Sequence, residues 1–225
     1  MGNELLSPLE ARILGVLVEK EKTTPDVYPL TLNSLVAGCN QKTSRDPVMN
    51  LSESEILAAL EELRRRLLVV ESYGASGRVL RYAHNFAKYY SVPQPSVALL
   101  AGLMLRGAQT VNELRANCER LYRFDDASSV EAFLVELAER ASGGLTVRLP
   151  RAPGAREVRW AHLLCGEVEM AAEAVDGARV ERKSSLELEA RIERLEAELL
   201  ALRQAFDALA ARLNSQGDVA ADGEP

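Results

Sequence analysis

The residues whose types and spacing could do chemistry here are cations placed to grip phosphate. The stretch Asn40–Asn50 reads NQKTSRDPVMN, in which Lys42 and Arg45 supply charge and Gln41, Thr43 and Ser44 supply hydrogen-bonding groups. Such a set can hold phosphate oxygens. The same stretch also has a structural reading: Asn40 and Asp46-Pro47 shape a turn, and Arg45 pairs with a nearby acid. Further cations flank two expected hairpins. Arg78, Arg81 and Lys88 lie at the first, and Arg148, Arg151, Arg156 and Arg159 at the second, where Glu157 is the one acid among them.

No catalytic constellation accompanies these cations. The chain lacks a Gly-rich phosphate loop and any HExxH, CxxC or GxSxG pattern. Its carboxylates sit mostly on helix faces beside Lys or Arg, as solvated surface residues do. His84 and His162 fall at equivalent strand ends with no Cys pair near them, a poor metal site. Neither an enzyme nor a cofactor or metal is expected. Cys39, Cys118 and Cys165 are too few and scattered for a disulfide framework, which points to a reducing, cytoplasmic setting. No run of about 18 apolar residues spans a membrane, and Met1–Glu10 does not read as a secretory signal.

The elements that must position these cations emerge from an internal repeat. Thr31–Cys39 (TLNSLVAGC) returns as Thr110–Cys118 (TVNELRANC), with five of nine positions identical at an offset of 79. Arg81-Tyr82-Ala83-His84 returns as Arg159-Trp160-Ala161-His162 at an offset of 78. Two matches at nearly one offset indicate duplication.

In the first copy, Ser7-Pro8-Leu9-Glu10 is a capping box with Pro at the first helical position. Leu9, Ile13, Leu14, Leu17 and Val18 follow at helical spacing. A second helix starts near Thr31 and ends near Cys39, and a third starts at the capping box Ser52–Glu55. Strands are expected at Leu68–Tyr73 and Arg78–Ala83 around Gly74–Gly77. The second copy gives helices at about Pro95–Leu105, from the capping box Thr110–Glu113, and from Ser128 with Glu131 three residues on. Strands follow at Leu145–Leu149 and Glu157–His162 around Pro153-Gly154. Within the repeated segment, Leu35, Ala37, Cys39 and their counterparts are expected to face the core.

Three helices and a hairpin in about 80 residues match the winged helix-turn-helix pattern. The expected fold is therefore mainly α with small β-hairpins, as two tandem winged-helix domains over residues 1–92 and 93–166, each burying its own leucine-rich centre. Residues 167–183 read as a connector, 184–214 as a heptad-patterned helix and 215–225 as a disordered tail. In the helix, Leu188, Ile192, Leu195, Leu199, Leu202, Phe206, Leu209 and Leu213 are spaced by alternating fours and threes, a coiled-coil seam. In a parallel dimer, Arg191 would meet Glu196 of the partner, and Glu198 would meet Arg203. The seam can serve self-association, or the helix can fold back on the body.

The run Cys39–Leu51, CNQKTSRDPVMNL, resembles the signature of the YceH-like family of uncharacterised bacterial proteins. The likeness extends over Leu6 to about Leu164, with SPLEARILGVLVEKE at its start and RYAHNF later. The resemblance implies a tandem winged-helix fold and no particular activity.

Charge divides unevenly. Residues 1–92 carry 11 basic and 11 acidic residues, 93–166 carry 9 and 8, and 167–225 carry 7 and 14. The acidity thus lies in the tail, which leaves the body free to carry local basic patches. Two functions fit. The first, which fold analogy favours, is binding of double-stranded DNA in the manner of a transcriptional regulator, with the hairpin arginines on the backbone. The other is a dimeric scaffold for protein partners that reads no DNA. The first turns of the third helices, with Glu53, Glu55 and Glu131, favour the scaffold, and Arg64-Arg65-Arg66 lies at the far end of its helix, where it also complements the dipole.

Overall fold

Ser7 begins the first helix, α1 (Pro8–Thr23), as its sequence dictates. The Ser7 hydroxyl accepts from the Glu10 N–H, and the Glu10 carboxylate accepts the Ser7 N–H at 2.7 Å. The computed structural model describes residues 4–73, 79–151 and 154–168. Residues 1–169 form one compact unit. The second unit, 170–225, lies outside the described residues. With it go the heptad helix and the dimerisation candidates Leu188, Ile192, Leu195, Leu199, Leu202, Phe206 and Leu209.

The described chain is mainly helical with two small antiparallel sheets. After α1 come β1 (Leu30–Thr31), α2 (Leu32–Cys39), α3 (Glu53–Arg65), β2 (Val69–Tyr73) and β3 (Leu80–His84). A short helix, α4 (Phe86–Tyr90), precedes the second round: α5 (Gln94–Arg106), β4 (Gln109–Thr110), α6 (Val111–Cys118), α7 (Ala127–Ala138), β5 (Thr146–Arg148) and β6 (Arg159–His162). Each round closes a three-stranded sheet of the same order, β1-β3-β2 and β4-β6-β5. Registers correspond as well: Leu30 faces Tyr82 where Gln109 faces Trp160, and Val69 faces His84 where Thr146 faces His162.

The capping boxes at Ser52 and Thr110 form as expected. The third helix of the second copy starts earlier than its Ser128 suggests. Asp126 caps it by accepting the Ser129 N–H at 2.7 Å, and its carboxylate is the stronger acceptor. Leu35, Cys39, Leu114 and Cys118 are buried, but Ala37 and Ala116 are exposed. Leu35 and Cys39 are one turn apart on one face, and a residue midway between them points away.

The buried side chains do not divide between the two copies. One cluster takes Ile13, Leu17, Leu35, Ile56, Leu63 and Phe86 from the first, and also Leu100, Met104, Leu137 and Leu164 from the second. A smaller cluster, with Leu99, Leu103, Leu114, Val130 and Trp160, belongs to the second copy alone. The expectation of one separate core per copy is corrected accordingly. The cause is α1, which is buried from Glu10 through Val18 and so has an apolar face for each copy. Gly15 lets α5 approach, since a Cβ there would lie 2.9 Å from Leu105 Cγ. Gly102, like Gly15 seven residues after a proline at a helix start, gives its space to Cys118 in its own copy.

Candidate nucleic-acid interface

The loop between α2 and α3 holds the most distinctive sequence of the chain, and the structure ties most of it inward. Arg45 has a fully buried side chain. Its Nη1 and Nη2 donate to the two carboxylate oxygens of Glu19 at 3.1 and 2.6 Å, and its Nε donates to the Gly38 carbonyl at 3.2 Å. Burial alone would raise the Glu19 carboxyl. The hydrogen bonds and charge of Arg45 outweigh it and hold the group below its ordinary range. Arg12, also buried, donates to the carbonyls of Cys39 and Pro47 at 3.2 and 2.6 Å. The Asn40 side chain both donates to and accepts from the Leu51 backbone, and the Asp46 N–H reaches the Leu105 carbonyl at 2.8 Å. The loop thus clasps α1 to α5. Its structural reading holds for Arg45, whose donors are occupied. Lys42 and Thr43 remain exposed, while Ser44 is half-buried with φ 61°.

The repeated Arg-aromatic-Ala-His stretch is also structural in part. Arg81 donates to the Pro29 carbonyl and Arg159 to the Ala108 carbonyl, each at 2.7 Å and each just ahead of the short first strand of its sheet. Tyr82 and Trp160 fill the two cores. Burial lowers the pKa of His84, with Glu21 opposing it, and brings that of His162 down to about 4. Burial also pushes the thiols of Cys39 and Cys118 up to about 12, which leaves them inert as nucleophiles.

A basic group stays at the surface on the second hairpin. Arg148, Arg151, Arg156 and Arg159 are all exposed. Among the described residues, Arg148, Arg151 and Arg156 have no acidic partner, while Arg159 lies 3.3 Å from Glu113. Glu157 accepts from the Asn112 side chain at 3.0 Å. The first hairpin differs. Val70, Tyr73 and Val79 are exposed there, and Arg78 lies outside the described residues.

The third helices present the opposite charge. On α7 the exposed residues are Ser128, Glu131, Ala132, Val135 and Glu136, and the helix contains no cation. On α3, Arg64 pairs with Glu61 at 2.6 Å and Arg65 with Glu62. Arg66, which caps that helix, turns back to the carbonyls of Glu4 and Leu5 and to Glu10. The Arg64–Arg66 run is therefore largely committed within the molecule. Sequence reading missed Arg12 altogether. Its only signal is a cation in a helix whose apolar residues, Ile13 to Val18, leave no polar face beside it.

Among the described residues, no helix is long and apolar enough to cross a membrane. The family model described as "Protein of unknown function, DUF480" matches residues 6–155. A UPF0502 protein of Leptothrix cholodnii is 62% identical over 173 residues, 77% of this chain and 77% of the relative. A UPF0502 protein of Burkholderia orbicola is 54% identical over 222 residues, 96% of this chain and 93% of the relative. One from an Acidovorax species is 54% identical over 215 residues, 92% and 94%.

Proposed function

The chain belongs to this bacterial family, DUF480, and on that footing we propose that it is a tandem winged-helix protein that binds the backbone of double-stranded DNA through its second hairpin. The order helix, strand, helix, helix, hairpin, found twice, supports the winged-helix reading. The observation that carries the DNA reading is the exposed set Arg148, Arg151, Arg156 and Arg159, four cations within twelve residues with a single acid between them. Guanidinium groups suit phosphate because their planar fork makes paired hydrogen bonds. Contacts of this kind position a protein on DNA without reading sequence. The acidic faces of α3 and α7 would repel phosphates at the point where third helices usually enter the groove. Binding is therefore sequence-independent.

The test is binding of a random duplex at low and moderate salt. Wild-type affinity should fall steeply as salt rises, and Arg148→Ala with Arg151→Ala should weaken it at low salt. Absence of binding at low salt overturns the reading.

A second reading, a dimeric scaffold for protein partners, is favoured by the exposed Val70, Tyr73 and Val79 of the first hairpin and by the cation-free α7. It predicts no DNA binding at any salt, and a protein partner lost on Tyr73→Ser.

A further inference from the structure

A hollow of about 190 Å³ opens where the two copies meet. Lys20 comes from the end of α1, Gln41 and Ser44 from the clasping loop, Arg106 from the end of α5, Asn117 from α6, and Arg120 from just beyond it. Three cations thus line one recess. Among the described residues the single acid there, Glu19, already accepts from Arg45 with both oxygens and lies 3.4 Å from Lys20. Arg106 and Arg120 have no acidic partner among the described residues. The hollow therefore has an excess of positive charge, hydrogen-bonding amide and hydroxyl groups around it, and walls from both copies.

We propose that this recess binds a small oxyanion, a phosphate- or carboxylate-bearing molecule, and that the ligand bridges the two copies. Its size is below the usual range for drug-sized ligands and suits an ion or a short metabolite. Clustered like charges in a concave site focus potential and raise the local concentration of an opposite ion. A bridging anion would relieve the repulsion among Lys20, Arg106 and Arg120, and so stabilise the junction that Gly15 and the Asp46–Leu105 hydrogen bond already form. The site is separate from the second hairpin, and the inference does not rest on DNA binding.

Isothermal titration of the full chain with sodium phosphate, and separately with sodium citrate, tests it, with chloride holding ionic strength constant. Saturable binding of at least one anion is expected, and which one binds identifies the oxyanion. Arg120→Glu, a change at an exposed position, should weaken that binding about tenfold or more, the loss of one charged hydrogen bond. Arg148→Ala should leave it unchanged. No saturable heat from either anion, or equal affinity in Arg120→Glu, overturns the proposal. So does a result in which neither anion responds to Arg120→Glu but duplex DNA does, which would assign the hollow to backbone phosphate.

Discussion

Arg45 lies across Glu19 in a two-point ion pair, with its Nη2 2.6 Å from one carboxylate oxygen and its Nη1 3.1 Å from the other. The residue that sequence alone could assign either to phosphate binding or to an internal pair is fully committed to the second role. Removing Glu19 leaves a buried guanidinium without its counter-charge, and such a loss destabilises by about 3–5 kcal/mol. Urea unfolding of Glu19→Ala should show a loss of that size. Arg45→Lys should not restore full stability, because an ammonium cannot span both oxygens and also reach Gly38. An Arg45→Ala protein as stable as the wild type would contradict this assignment.

Gly15 governs the junction between the copies. Alanine is the better helix former by about 1 kcal/mol, yet its Cβ would sit 2.9 Å from Leu105 Cγ and 3.4 Å from Met104 Cβ. Overpacking of this kind costs about 1–3 kcal/mol. Gly15→Ala should therefore lower the melting temperature. Combined with Leu105→Ala, it should cost less than the two single changes together, as a double-mutant cycle will read.

Stability should fall on mild acidification, and His162 is the main cause. Its ring is at about 4 in the folded state through burial, against an ordinary value of 6.5. The unfolded chain takes up the proton first as pH drops below 6.5. Stability is thus complete above that value and is lost progressively down to about pH 4. Between pH 7 and pH 5 the loss from this one group is on the order of 2 kcal/mol. His84, also lowered by burial, acts in the same direction. Urea unfolding at the two pH values should show the drop in the wild type and a smaller one in His162→Gln.

Much of the fold was legible in local chemistry. Ser7, Ser52 and Thr110 announced three helix starts through capping boxes, and the turn residues Gly74–Gly77 and Pro153-Gly154 announced the hairpins. What could not be read was commitment at a distance. Arg12 reaches the Cys39 and Pro47 carbonyls, 27 and 35 residues away, and Arg45 finds its counter-charge Glu19 26 residues away. Two-residue strands such as Leu30–Thr31 carry no periodicity, and α4 is one short turn and a half. The shared core was hidden because a helix buried on both sides and a helix with one broad apolar stripe differ by few residues. Of the hairpin arginines that the sequence nominates, Arg148, Arg151 and Arg156 are exposed. Arg81 instead supports the first sheet.

Self-association is expected through the heptad seam from Leu188 to Leu213, which lies outside the described residues. The full chain of 24.6 kDa should run at twice that mass in light scattering, and a chain ending at Lys183 should run as a monomer. A monomeric mass for both would assign the helix to packing within one chain.

The most direct measurement of the central claim is the salt slope of duplex DNA binding in paired variants. Each backbone phosphate neutralised contributes about 0.9 to the slope of log affinity against log salt. Arg148→Ala with Arg151→Ala should reduce the slope by about 2. Glu131→Gln with Glu136→Gln on α7 should leave it unchanged and strengthen binding. A slope unchanged in the arginine variant, or no binding by the wild type at low salt, would contradict a DNA contact at the second hairpin.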